Sequence, residues 1–404
     1  MLPDPTLSSI DDAAAAAAGG MWSIAIDCLH KLPLDRIDGN DRVLDIALQI
    51  LVQGDFEDRW QIAKIFPKLG EIAIQPLLNL VNDLDIDIED RWFGARILGE
   101  FDRPQVVAAL VDIIQKDREP ELTAIAVGAL TKIGTGAIVT LTAILATAAP
   151  AAQRRMAITV LAQIRHSQTI EPLISVIDDP DPQLRTLIIE ALGSFHDPRI
   201  PPLLIAKLTD TAASVRKAAV TALSLRSDLA ISLNLSQHLR PLLFDLDLAV
   251  CEATALGFAR LPDPRVVTLL TELLVSDRTP TALKLSAILA LGWIGSQSAV
   301  DSLVAALVDI DSDLAPEIIV AIGKTELERE YASILLIDYW ESKFSATTPS
   351  PSIDREIATA LGNLGNIASV PTLVKLSADL DDRVRLHAVA AIAKLSPNPL
   401  SLNT

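Results

Sequence analysis

The sequence predicts an all-α solenoid, a stack of about eleven short helix pairs. Three observations carry this reading. The tetrapeptide Glu-Asp-Arg-Trp occurs twice, as Glu57-Asp58-Arg59-Trp60 and as Glu89-Asp90-Arg91-Trp92, 32 residues apart. The same spacing runs through nearly the whole chain. Anchored on one residue of a recurring helix (Phe66, Leu98, Leu130, Leu161, Leu192, Leu223, Leu256, Leu291, Ile322, Leu361, Ile392), the steps are 32, 32, 31, 31, 31, 33, 35, 31, 39 and 31. A unit of this size buries its apolar face only against its neighbours. Finally, 50% of the residues are hydrophobic but only 4% are aromatic. Ala, Leu and Ile in that proportion suit thin stacked layers better than one thick core.

The elements follow in chain order. Residues 1–41 are a capping segment, and the Ala run at 11–20 is either a short helix or a frayed end. The repeats fill 42–396, with an insertion around 340–352, and 397–404 form a tail. Within each repeat, the position eleven before the anchor is acidic in seven units: Asp55, Asp87, Glu119, Asp181, Asp245, Asp311 and Asp381. An acid before an apolar-periodic run caps the free N–H groups of a new helix. Seven before the anchor a base recurs: Arg59, Arg91, Arg154, Arg185, Arg216, Lys284 and Arg385. It pairs with an acid of its own repeat or of a stacked neighbour, and exposed pairs of this kind contribute only ~0.3–0.5 kcal/mol each. Ala one before the anchor admits the next helix closely. An apolar residue and Gly then close several units, at Gly70, Gly134, Gly295 and Gly365, where a left-handed residue stops the helix. A partner helix precedes each of these, for example at 72–82, 104–116, 169–178, 202–209, 266–276, 299–309 and 370–380. Pro104, Pro172, Pro202 and Pro371 sit in first turns, where a missing N–H costs little.

With the repeat laid out, the chain resembles the HEAT-repeat family, in the short form named after phycobilisome lyases. The stretches Asp181-Pro182-Gln183-Leu184-Arg185 with Ala191-Leu192-Gly193, and Asp381-Asp382-Arg383-Val384-Arg385 with Ala391-Ile392, carry the resemblance. The seventh unit departs from it. Glu252 occupies the small position four before Leu256, so either the helix is shifted in register or a carboxylate faces inward.

Charge and cysteine usage narrow the function. Lys+Arg 34 against Asp+Glu 52 gives a net charge of −18, with no basic stripe for nucleic acid or an anionic membrane. The balance favours protein partners that carry a basic patch. Cys28 and Cys251 imply no disulfide framework, and a reducing, cytoplasmic setting fits. The N-terminus has no basic region before an apolar core, so no signal peptide is expected. Residues 133–153 carry no charge and are long enough to span a bilayer. They also contain Gly134, Gly136 and Pro150, and the repeat keeps its step on both sides. The segment therefore reads as loop, apolar helix and turn.

Chemistry is sparse. Hydroxylases that resemble such repeats bind two irons through His-Glu pairs, but none of His30, His166, His196, His238 and His387 is followed by Glu. His166 and His196 occupy similar places in adjacent units, as a weak metal pair or as two turn residues; zinc sites want more ligands. Cys251 beside Glu252 should have a raised pKa, which is wrong for a nucleophile. Residues two apart on a helix point apart, so Cys28 and His30 make a poor pair. No catalytic residue, metal or cofactor is expected.

Two partner-binding candidates remain. Six before the anchor, Trp60 and Trp92 stand one repeat apart beside Arg59 and Arg91, and Trp and Arg are enriched at binding hot spots. The competing reading is a shielding cap for the end of the stack. The step of 39 contains the second candidate, Tyr339, Trp340 and Phe344, followed by the loop 345–352. There the alternative is an extended helix whose rings fill the gap. The predicted function is a protein-binding scaffold or assembly factor that uses the second helices, expected on the concave face. The family resemblance implies an iron–sulfur assembly protein or a phycobiliprotein as partner. Its alternative is a bilin lyase subunit, which attaches a tetrapyrrole to a phycobiliprotein cysteine.

Overall fold

A computed structural model describes residues 5–34, 40–116, 119–147, 149–309, 314–344 and 350–395. Among them all regular structure is helical, and the fold is an all-α solenoid. The helices group into two compact units, Met1–Phe195 and His196–Thr404.

The first unit opens with the helices Pro5–Ala18 and Trp22–His30, which pack on each other. The Ala run is thus a helix, and Ile10, Ala13, Ala16 and Ala17 are buried. From Ile74–Asn82 and Ile88–Leu98 onward the pairs are regular. The second helices Ile88–Leu98, Pro120–Ile133, Ala151–Ile164 and Pro182–Gly193 stack in sequence. In the second unit Ala213–Ser224, Leu248–Phe258, Thr281–Ile294, Ala315–Ile322, Pro351–Leu364 and Asp382–Leu395 do the same.

Small residues set the distance between these second helices. A Cβ on Gly99 would lie 2.9 Å from Ala129, and one on Gly362 would lie 2.7 Å from Ala391. The residue just after one anchor thus touches the Ala just before the next, and a side chain in between would separate the helices. The closing glycines behave as their position requires. Gly70, Gly134, Gly295 and Gly365 have φ of 67°, 69°, 55° and 76°.

The acidic caps are real where they were expected at Asp55, Asp87, Asp181 and Asp381, each accepting a backbone N–H two or three residues ahead. Glu119 precedes its helix without a side-chain cap bond, and Asp311 lies outside the described residues. Asp245 is a correction. The N-cap is Asp247, two residues later, and Asp245 instead accepts the Asp247 N–H at 2.8 Å. The seventh unit is therefore shifted in register. Leu256 and Glu252 are only half-buried, and fully buried Phe258 takes the anchor's place.

At Arg154 and Arg216 the recurring base fastens its repeat in two directions. Arg216 donates to the Asp210 carbonyl at 2.8 Å within its own repeat. It also grips the Asp245 carboxylate of the next repeat at 2.6 and 2.7 Å. Arg154 binds the Ala149 carbonyl at 2.6 Å and the Asp179 carboxylate at 2.7 and 3.1 Å. These acids are mostly buried, with side-chain exposures of 3% for Asp179 and 10% for Asp245. The rungs are therefore stronger than exposed pairs, and losing one partner strands a buried charge.

No single helix is long and apolar enough to cross a membrane among the described residues. Pro120–Ile133 and Thr135–Ala146 pass that test only when joined, and the chain bends by 116° between them at left-handed Gly134.

Candidate protein-binding surface

The duplicated tetrapeptide places Trp60 and Trp92 on adjacent second helices of the first unit. Asp55 and Asp58 form a reciprocal capping box, with bonds of 2.9 and 3.3 Å, that starts the helix Phe56–Ile62. Asp87 starts Ile88–Leu98. Each tryptophan lies five residues past its cap, and each is half-buried.

The rings form one cluster. Phe56 stacks on Trp60, with centroids 6.1 Å apart and planes 22° apart. Phe56 also meets Phe93 edge-on at 5.6 Å, and Phe93 meets Trp92 at 5.1 Å. Buried Phe93 is the base of the cluster, and Phe56 is 57% exposed. The Arg96 guanidinium lies 3.8 Å from the Trp60 ring centroid, a close cation–π contact.

The two predicted arginines have other work. Arg91 is 7% exposed, and its Nε donates to the Val81 carbonyl at 3.1 Å. Arg59 donates to the Val52 carbonyl at 3.1 Å and pairs with Glu89 at 2.9 Å. Asp90 Oδ1 sits 3.0 Å from Arg59 Nη2. Burial raises the Asp90 pKa, and the Arg59 charge opposes that rise. Both arginines hold the frame, while Arg96 is the cation that reaches the aromatic surface. Sequence spacing did not single out Arg96, because it meets Trp60 across a repeat boundary. Phe56, the first residue of its helix, belongs to none of the recurring positions of the repeat.

The second candidate faces inward. Tyr339 and Trp340 are 7% and 4% exposed. Trp340 Nε1 donates to Asp354 Oδ1 at 2.8 Å, and Lys375 lies 5.9 Å from its ring centroid. Both rings belong to the longer helix Arg329–Phe344. Buried in this way, Tyr339 and Trp340 present no docking surface. The Phe344 side chain and residues 345–349 of the loop lie outside the described residues. Burial raises the Asp354 pKa most, the Asp379 charge adds to it, and the Trp340 hydrogen bond opposes it.

The remaining candidates are structural in their contacts. His166 Nδ1 accepts the Gln168 N–H at 3.2 Å and caps a short turn. Among the described residues no three His, Cys, Asp or Glu side chains gather as a metal site would require. Cys251 is 4% exposed, and burial is the main cause of its raised pKa. Trp293, 55% exposed and two residues past the anchor Leu291, is a surface aromatic that the six-before-anchor position did not sample.

Residues 138–224 and 236–324 match the family model for HEAT repeats. No curated protein matches. Among solved structures, a Kap121p mutant aligns with 98% of this chain and 52% of its own, at 12% identity and a TM-score of 0.57. The Kap95p structure with RanGDP aligns with 98% of this chain and 59% of its own, at 14% identity and 0.55. Importin beta aligns over 97% and 65%, at 12% identity and 0.53. The chain thus spans about half the length of Kap121p, and identities this low speak for the fold alone.

Proposed function

We propose that this HEAT-repeat protein is a non-catalytic scaffold that holds a partner protein against its second helices, with Trp60 and Trp92 as anchors. The observation that carries this reading is the cluster Phe56–Trp60–Arg96–Trp92. In a chain with 4% aromatic residues, four rings gather on adjacent helices, and three of them reach solvent. Half-buried indoles offer a large contact area at a low entropic cost, and they are typical hot-spot groups. The solenoid neighbours lend analogy: Kap95p is seen with RanGDP. A net charge of −18 favours a partner with a basic patch, and steers it at low salt. The phycobilisome-lyase-like form of the repeats adds two partner classes to try, a phycobiliprotein and an iron–sulfur assembly protein.

The test is affinity capture with the full chain and with the double variant Trp60→Ala, Trp92→Ala. The full chain should recover one stoichiometric protein, and the double variant should lose at least tenfold in affinity, about 1.4 kcal/mol, with an unchanged helical circular dichroism spectrum. Equal recovery by the variant removes the cluster from the binding surface. Mixing with phycocyanobilin is the control, since a bound, red-shifted pigment at equal stoichiometry would replace the scaffold reading with a lyase.

A further inference from the structure

The ladder in the second unit is interrupted at Cys251. In an intact rung, the arginine four residues after one N-cap grips the aspartate two residues before the next N-cap, as Arg216 grips Asp245. In the following pair of repeats, the first position is Cys251, four after Asp247, and the second is Arg278, two before the N-cap Pro280. Cys251 keeps half of the arginine's role. Its Sγ–H donates to the Asp245 carbonyl at 3.3 Å, the counterpart of the Asp210 carbonyl that Arg216 reaches. A thiol is too short to extend to the next repeat. Arg278 stands where an acid would otherwise sit, and among the described residues no carboxylate pairs with it.

Beside the interruption is a pocket of about 550 Å³. Phe244, Leu246, Leu248, Leu273 and Leu283 line it, Cys251 is at its floor and Arg278 at its edge. Phe244 is 71% exposed and Leu248 40% exposed. Asp245 also borders the space, but Arg216 holds both its oxygens. Of the two charged lining residues, Arg278 is therefore the one left to meet a ligand.

We propose that this pocket captures a peptide segment of a partner protein that presents a carboxylate beside a bulky apolar side chain. The carboxylate pairs with Arg278, and the apolar group packs against Phe244 and Leu248. A guanidinium edge over an apolar floor is complementary to that pairing of groups and to few others. The acidic remainder of the surface repels such a segment elsewhere, which confines it to this place. The inference rests on the protein-binding reading of the chain but not on the aromatic cluster, which lies in the other unit.

The test uses the full chain and short fluorescein-labelled peptides in which glutamate alternates with leucine, with matched glutamine and lysine versions, read by anisotropy. The glutamate peptide should bind, and the glutamine version should bind about tenfold more weakly, as expected for one lost charge-assisted contact. Arg278→Gln, at an exposed position, should erase that preference. The pair Cys251→Arg with Arg278→Asp rebuilds the rung and fills the pocket, and it should abolish binding while keeping or raising the melting temperature. Trp60→Ala with Trp92→Ala should bind the peptide as the parent does. Indifference to charge, equal binding by the rebuilt-rung variant, or binding of decanoate in place of peptide would each overturn the proposal. If the peptide binds normally while the aromatic variants lose no partner, the pocket stands and the aromatic cluster falls.

Discussion

Trp60 and Trp340 are the same residue in two different employments. Trp60 stands half in solvent, stacked on Phe56 and roofed by Arg96. Trp340 is 4% exposed, with its N–H spent on Asp354. One stands near the start of the repeat array and the other at its longest step. The difference teaches that an aromatic is drawn inward when its polar edge finds a buried partner. It acts as surface when only its face is covered.

The sharpest way to break this contrast is Trp340→Ala. Removing a buried indole should cost about 3–5 kcal/mol and leave Asp354 without its donor. Urea denaturation measures it, and a loss below that of Trp60→Ala would erase the distinction. A smaller effect is expected from Asp354→Asn. The folded pKa of Asp354 is raised above its ordinary value of 3.8. Its ionised form is therefore disfavoured in the folded state, and its contribution to stability falls as pH rises through 3.8 and above. The asparagine variant keeps an acceptor for Trp340 but removes this slope. The variant should therefore gain on the parent as pH rises above 3.8 in thermal melts. A steeper decline in the variant would show that the carboxylate is stabilised by its surroundings. The smallest effect is expected from Arg96→Ala, which removes one cation–π contact worth about 0.5–1 kcal/mol. It should alter Trp60 fluorescence and leave Trp340 untouched.

Much of the fold could be read from the residues, because it repeats a local rule. An Asp cap, a base four later, a small residue against the neighbour and a closing Gly are each decided within one turn of helix. Asp55, Asp87, Asp181 and Gly134 therefore sit where the spacing put them. The rule failed where two candidates compete locally. In Asp245-Leu246-Asp247 either acid suits an N-cap; the second takes it, and the first accepts the N–H of the second. The surface was harder to read. Arg59 and Arg91 look like free hot-spot residues in the sequence, but their guanidinium groups are drawn to helix-end carbonyls that no pattern of side chains reveals. Arg96 meets Trp60 only through stacking of repeats. The interruption at Cys251 was legible in principle, as a Cys in the base position and an Arg in an acid position. It became visible only once the register of the seventh repeat was corrected.

The contact between Gly362 and Ala391 has a mechanical consequence. A methyl group added at Gly362 would act as a wedge between two neighbouring repeats. Because each repeat leans only on the next, the misfit cannot be shared with a central core and must be absorbed at that one joint. Such a wedge offers a means of prying open a chosen junction while every helix keeps its own shape.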